Sequence, residues 1–140
     1  MRKPIVAVVV LGALLSLSAQ SPKKKRAISK PATAVISAKF KELATDTMDA
    51  VEVASSAKTE VGRDQANRQA DLLLIKLRRM VNGDGNGDAE ESAFASIVNY
   101  QIVSDRCEIL RQAVSQEFFA CLKQQAAAHD KAMKSIGLAN

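Results

Sequence analysis

The chain has 140 residues, enough for one domain, with 47% apolar residues but only 4% aromatic, one His, two Cys and no Trp. A single histidine excludes a metal centre built on two or three of them, and with one tyrosine, no tryptophan and no aromatic residue near the basic run at residues 22–26, that run has no platform for stacking bases. The net charge of +5 suggests an anionic partner until it is located. Seven of the 20 basic residues lie within the first 30 positions, and from residue 31 onward 13 basic residues face 15 acidic ones, so the folded part is not a basic domain.

At the start of the chain, Arg2 and Lys3 precede an apolar run over residues 5–17, and Ser16, Ser18 and Ala19 supply small residues at its end. A basic start, an apolar middle and a small-residue end are the layout of a signal peptide. The run is also shorter than the roughly 20 residues a helix needs to cross a bilayer. Residues 1–19 are therefore expected to be a signal peptide, and the mature chain an exported one, periplasmic or secreted, beginning near Gln20. Residues 20–31, QSPKKKRAISKP, hold two prolines and five cations with little apolar material, the composition of a disordered basic tail. Within it Pro22, Lys23, Lys24, Lys25 and Arg26 resemble a short nuclear localisation signal, which conflicts with export. Weak contact with an anionic membrane or polymer, a basic processing site, or a tail that is merely solvated fits the same residues better.

Residues 32–140 are expected to form a helical-bundle domain. No proline follows Pro31, and alanine, lysine, glutamate, glutamine and leucine dominate. Ile36, Phe40, Leu43, Thr47, Val51, Ala54 and Val61 recur at steps of three, four and seven, which places them along one side of a first helix. Gly62, followed by Arg63 and Asp64, offers an end to that helix, although passing through a glycine costs only about 1 kcal/mol and a continuous helix competes evenly. The second segment is the most amphipathic, with Ala66, Ala70, Leu73, Leu74, Leu77, Met80 and Val81 on one stripe, and with Arg78 and Arg79 placed to end it against the helix dipole.

The third segment runs from Asp88 to about Lys134 and has two apolar sides. Phe94, Ile97, Val98, Ile102 and Ile109 fall on one; Val103, Cys107, Leu110, Val114, Phe118 and Cys121 fall nearly opposite. A helix apolar on two sides wants two neighbours. The expected fold is thus all-α: a small antiparallel bundle of three to four helices with a long C-terminal helix as its spine.

Between the second and third segments stands NGDGNGDAEES, residues 82–92, where Asp84, Asn86 and Asp88 alternate as calcium ligands would. The loop resembles the first half of an EF-hand over DGNGD. Counting from Asp84 puts Ala89 where the loop requires glycine and Ala95 where it requires the bidentate acid; counting from Asn82 restores the glycine but closes on Ala93. Neither register completes the site. The same letters make a turn, in which the glycines permit positive φ and Asp88 with Glu91 forms a capping-box pattern for the helix that follows. No cofactor is expected, and calcium at Asp84, Asn86 and Asp88 is the secondary reading.

Catalytic residues are not found. His129 and Asp130 are neighbours in sequence, which on a helix sets them about 100° apart, and no nucleophile or phosphate-loop motif accompanies the many acidic residues. Cys107 and Cys121 are the only cysteines. In one unbroken helix they stand about 21 Å apart, beyond the roughly 7 Å reach of a disulfide. Three outcomes stay open: free buried thiols, an internal bridge across a hairpin kinked at Ser115, the one residue there suited to cap a new helix, or a covalent dimer. The function this implies is that of an exported small helical-bundle protein with a structural or protein-binding role and no catalysis, its partner a protein or a second copy held through helical faces, with no specific nucleic acid. The alternatives are a weak calcium-binding helix-loop-helix protein and a basic-tailed binder of anionic membrane or nucleic acid.

Overall fold

Four α-helices and no strands make up the computed structural model, which describes residues 35–83, 87–113 and 115–138. They are α1 (Ala38–Ser56), α2 (Glu60–Gly83), α3 (Gly87–Leu110) and α4 (Gln116–Ser135), all within the compact unit Pro31–Asn140. The signal-peptide and basic-tail assignments, including Lys23, Lys24, Lys25 and Arg26, lie outside the described residues.

Helices α1, α2 and α4 begin where a hydroxyl satisfies a backbone donor that lacks an intrahelical partner. Ser37 caps α1 by accepting from the Phe40 amide at 3.2 Å. Thr59 serves α2, its Oγ1 accepting from Gly62 N at 3.1 Å. The chain therefore breaks at residues 57–59, ahead of the glycine that the sequence nominated, and Gly62 sits inside α2. Val61, expected on the buried side of the first helix, is a 77% exposed residue of the second. Nor do Arg78 and Arg79 end α2, which continues to Gly83.

The long C-terminal helix is the larger correction. It is two helices, parted at residues 111–115, with Ser115 capping α4 by accepting from Phe118 N at 3.3 Å. Arg111 N to Glu108 O and Ala113 N to Leu110 O, both 3.2 Å, tighten the end of α3 with i→i+3 bonds. No glycine or proline forces this break. What decides it is α4 packing back along α3, an arrangement joined by a Cys107–Cys121 disulfide with Cα atoms 5.4 Å apart.

Cross-helix pairs fix the directions. Arg63 with Glu108, Asp71 with Gln101 and Arg78 with Phe94 descend α2 as they climb α3, so those two are antiparallel. Ser37 with Glu90 and Ser55 with Arg111 make α1 and α3 parallel. Val103 with Cys121, Ser104 with Gln125 and Tyr100 with His129 make α4 antiparallel to α3. α3 is the spine, touching each of the other three.

The core is Phe40, Ala44, Met48 and Val51 from α1, Ala70, Leu73 and Leu77 from α2, Ala93, Ile97 and Tyr100 from α3, and Ala128, Ala132 and Ile136 at the end of α4. The stripes expected for the first two helices hold, with Leu43, Leu74, Met80 and Val81 packed at the margin. α4 closes on Gly137, whose φ of +71° is open to glycine and strained for other residues. Gly137 N donates to Lys134 O at 3.0 Å and Leu138 N to Met133 O at 2.9 Å, the paired bonds of a Schellman end.

Candidate functional site

The expected surface was the second apolar side of the third segment, and the helix assigns it differently. α3 buries Glu90, Ala93, Ser96, Ile97, Tyr100, Ser104 and Cys107, a stripe made mostly of small and polar residues. Ile102 and Ile109, placed with Ile97 by the sequence, are 61% and 79% exposed. At 100° per residue both lie across the helix axis from that buried stripe. On α2 the side away from Ala70 and Leu77 likewise carries Leu72 and Ile75, each more than half exposed. Ile102, Ile109, Leu72 and Ile75 thus stand free on the outer sides of α2 and α3, while the buried side of α3 holds Ala93, Ser96 and Ser104 beside Ile97 and Tyr100. The apolar count along α3 could not reveal this, because it weighs an isoleucine above an alanine wherever the helix turns them.

Some charged residues on the same two helices have partners across the bundle. Glu108 accepts from Arg63 Nη2 at 2.9 Å and Arg111 Nη1 at 3.3 Å, and Arg111 also donates to the Ser55 carbonyl, so one cluster ties the end of α1, the start of α2 and the end of α3. Gln101 donates to Asp71 at 2.9 Å. Asp105 lies close by, and desolvation followed by the Asp71 carboxylate raises its carboxyl above the ordinary range. Arg78 lies 5.3 Å from the Phe94 ring centroid, a cation–π contact that gives this arginine an intramolecular partner.

Glu90 was missed by the sequence reading, which gave the cap to Asp88 with Glu91. Asp88 stands exposed inside the first turn of α3, and Glu91 is exposed as well. Glu90, 1% exposed, reaches across to α1, where its Oε1 accepts from Ser37 N at 2.9 Å and Ser37 Oγ at 2.7 Å. Its carboxylate therefore completes the cap of a helix 53 residues away in sequence. The available signal was a second acid next to Glu91, and only the folded chain says which acid turns inward.

Of the calcium candidates, Asp84 and Asn86 lie outside the described residues. Among the described residues no group of three or more His, Cys, Asp or Glu is placed to hold a metal ion. His129, on α4, is half-buried. Its ring meets Tyr100 edge-on at 5.3 Å, and its Nδ1 lies 3.5 Å from Asp130 Oδ1, at the outer limit of a hydrogen bond. Together with Glu52, Ser55, Leu122 and Gln125 these rings line a groove between α1, α3 and α4. Burial first, then the Glu52 carboxylate, raise the Tyr100 phenol above its ordinary 10.0, against a hydrogen bond with Ser104 that lowers it.

Cys107 and Cys121 take the second of the three outcomes: they are bonded to each other within the chain. Both are 3% exposed. Among the described residues no helix is long and apolar enough to cross a membrane. No family model, no curated protein and no solved structure matches the chain.

Proposed function

We propose that this is an exported helical scaffold that binds a protein partner through the outer sides of α2 and α3, without catalysis of its own. The observation that carries the reading is the outward placement of Ile102 and Ile109 on a helix whose buried side is largely alanine, serine and glutamate. Single exposed apolar residues are ordinary on any surface, but a helix that turns two of its three isoleucines out while burying Ser96 and Ser104 gains nothing from those two in folding. Export is supported by the signal-peptide layout and by the internal disulfide, since such bridges persist in oxidising compartments.

The partner and the compartment are tested separately. A photo-crosslinking residue at position 102 or 109 of the full chain, expressed in its own host, is expected to give a discrete heavier adduct, and one at the exposed Asp49 of α1 is not. Equal labelling from both faces, or none from either, ends the binding reading. Fractionation of the same cells checks export, and a chain retained with cytoplasmic markers removes that half of the proposal.

A further inference from the structure

Local preference and geometry disagree at the α3–α4 junction. Between Cys107 and Cys121 the chain reads EILRQAVSQEFFA, without glycine or proline, so its local preference is an unbroken helix. That helix would hold the two Cα atoms about 21 Å apart, whereas the bridge holds them at 5.4 Å. The bridge requires the bend, and holds it against that local preference. α4 is also lightly anchored: it buries Cys121, Ala128 and Ala132, with Ile136 just beyond its end, whereas α1 buries Phe40, Met48 and Val51 among others. Phe119 and Leu122, two of its larger apolar residues, are 55% and 40% exposed.

We propose that the Cys107–Cys121 bridge is a redox lock on the fold: oxidised, it holds α4 against its own α3; reduced, the junction straightens into one helix and α4 seats on a second copy of the chain, giving a swapped dimer. A second copy is the occupant that fits, because the seat α4 leaves is shaped for Cys121, Ala128, Ala132 and Ile136, and an identical chain supplies those residues in the same order. Exchange remakes the contacts of Tyr100 with His129 and of Ser104 with Gln125 between chains, with no new surface needed. The reductant is a dithiol. Its thiolate attacks one sulfur, the Cys107–Cys121 bond breaks, both sulfurs leave as thiols having gained two electrons and two protons, and the dithiol closes into its own disulfide. A groove of about 280 Å³ lined by Arg106, Leu110, Glu117, Ala120 and Gln124 borders Cys121 and gives a small dithiol its approach. The lock does not depend on the outer face having a protein partner.

The test compares four samples of the full chain by light-scattering mass and far-ultraviolet circular dichroism: oxidised, treated with dithiothreitol, Cys107→Ser with Cys121→Ser, and that pair combined with Gln112→Gly and Ala113→Gly. Both glycine positions are exposed, and each glycine disfavours the straight helix by roughly fivefold. The oxidised chain is expected at monomer mass, the reduced chain and the serine pair at twice that mass with helicity kept or increased, and the glycine-bearing variant back at monomer mass. The proposal is overturned by an oxidised chain that is already dimeric, by a reduced chain or serine pair that stays monomeric or loses its helicity, or by a dimer that the glycines leave intact.

Discussion

Ser37 and Glu90 show how much one buried acid can carry. With the Glu90 side chain removed, Ser37 loses the acceptor for both its amide and its hydroxyl, two half-buried donors near the first turn of α1. Hydrogen bonds to a charged group are worth about 1.5–3 kcal/mol. Glu90→Ala is expected to lower stability by about 2–3 kcal/mol in urea unfolding, and Glu90→Gln, which keeps an acceptor oxygen, by about half as much. Equal losses in the two variants would assign the effect to the charge of the carboxylate and not to the retained acceptor or to packing. Tyr100 offers a second measurement at the same scale, because it is the only tyrosine in a chain without tryptophan. Its phenol is raised in the folded state by burial and by Glu52, so folding disfavours the ionised form. The stability tied to this proton is fully present below the unfolded value near 10.0 and is lost as pH rises through the higher folded value. Absorbance of the tyrosinate should therefore appear later in an alkaline titration of the folded chain than in urea. Tyr100→Phe should remove part of the fall in stability above pH 10; an unchanged fall would place its source elsewhere.

Among whole elements, the helix ends were the least legible part of the sequence. Gly62 marks a glycine without ending a helix, whereas Thr59, three residues earlier, supplies the cap that starts α2. A glycine inside a helix is tolerated at about 1 kcal/mol, a cost that packing readily offsets, so its presence alone does not place a boundary. Ser115 was identifiable as a cap, but its neighbours favour continuing the helix, and a local preference of this kind yields to the packing of α4 along α3 through Cys121, Ala128 and Ala132. The end of α4 is more strictly determined. Gly137 at φ +71° has open space around an added Cβ, so the cost of a side chain there is conformational. Gly137→Ala is expected to destabilise by about 1–2 kcal/mol, the cost of a left-handed L-residue, while Gly83→Ala, with equally open surroundings and no positive φ, is neutral or slightly stabilising. Thermal unfolding of the two variants side by side checks this, and equal effects would sink the conformational explanation.

For the molecule as a whole, the outer sides of α2 and α3 contribute little to holding the bundle together. Ile102→Lys and Ile109→Lys are expected to shift stability by no more than about 0.5 kcal/mol, as surface substitutions do, while Ile97→Ala on the buried side costs about 2–5 kcal/mol. Denaturant midpoints would separate the two groups, and a large loss from Ile109→Lys would mean that residue is structural. Composition and periodicity were enough to determine an all-α bundle and the buried stripes of α1 and α2, because where large apolar residues recur every three or four positions, burying them is the dominant gain. The same rule misread α3. Its large apolar residues lie on both sides, and which side faces inward depends on neighbours that bring Ser37 to Glu90, Arg63 to Glu108 and Cys121 to Cys107. Those partners are 53, 45 and 14 residues away in sequence. The first two lie outside any single helical segment, and the third joins residues that an unbroken helix would hold about 21 Å apart, so the facing of α3, the inward turn of Glu90 and the bend before Ser115 were decided only when the four helices packed.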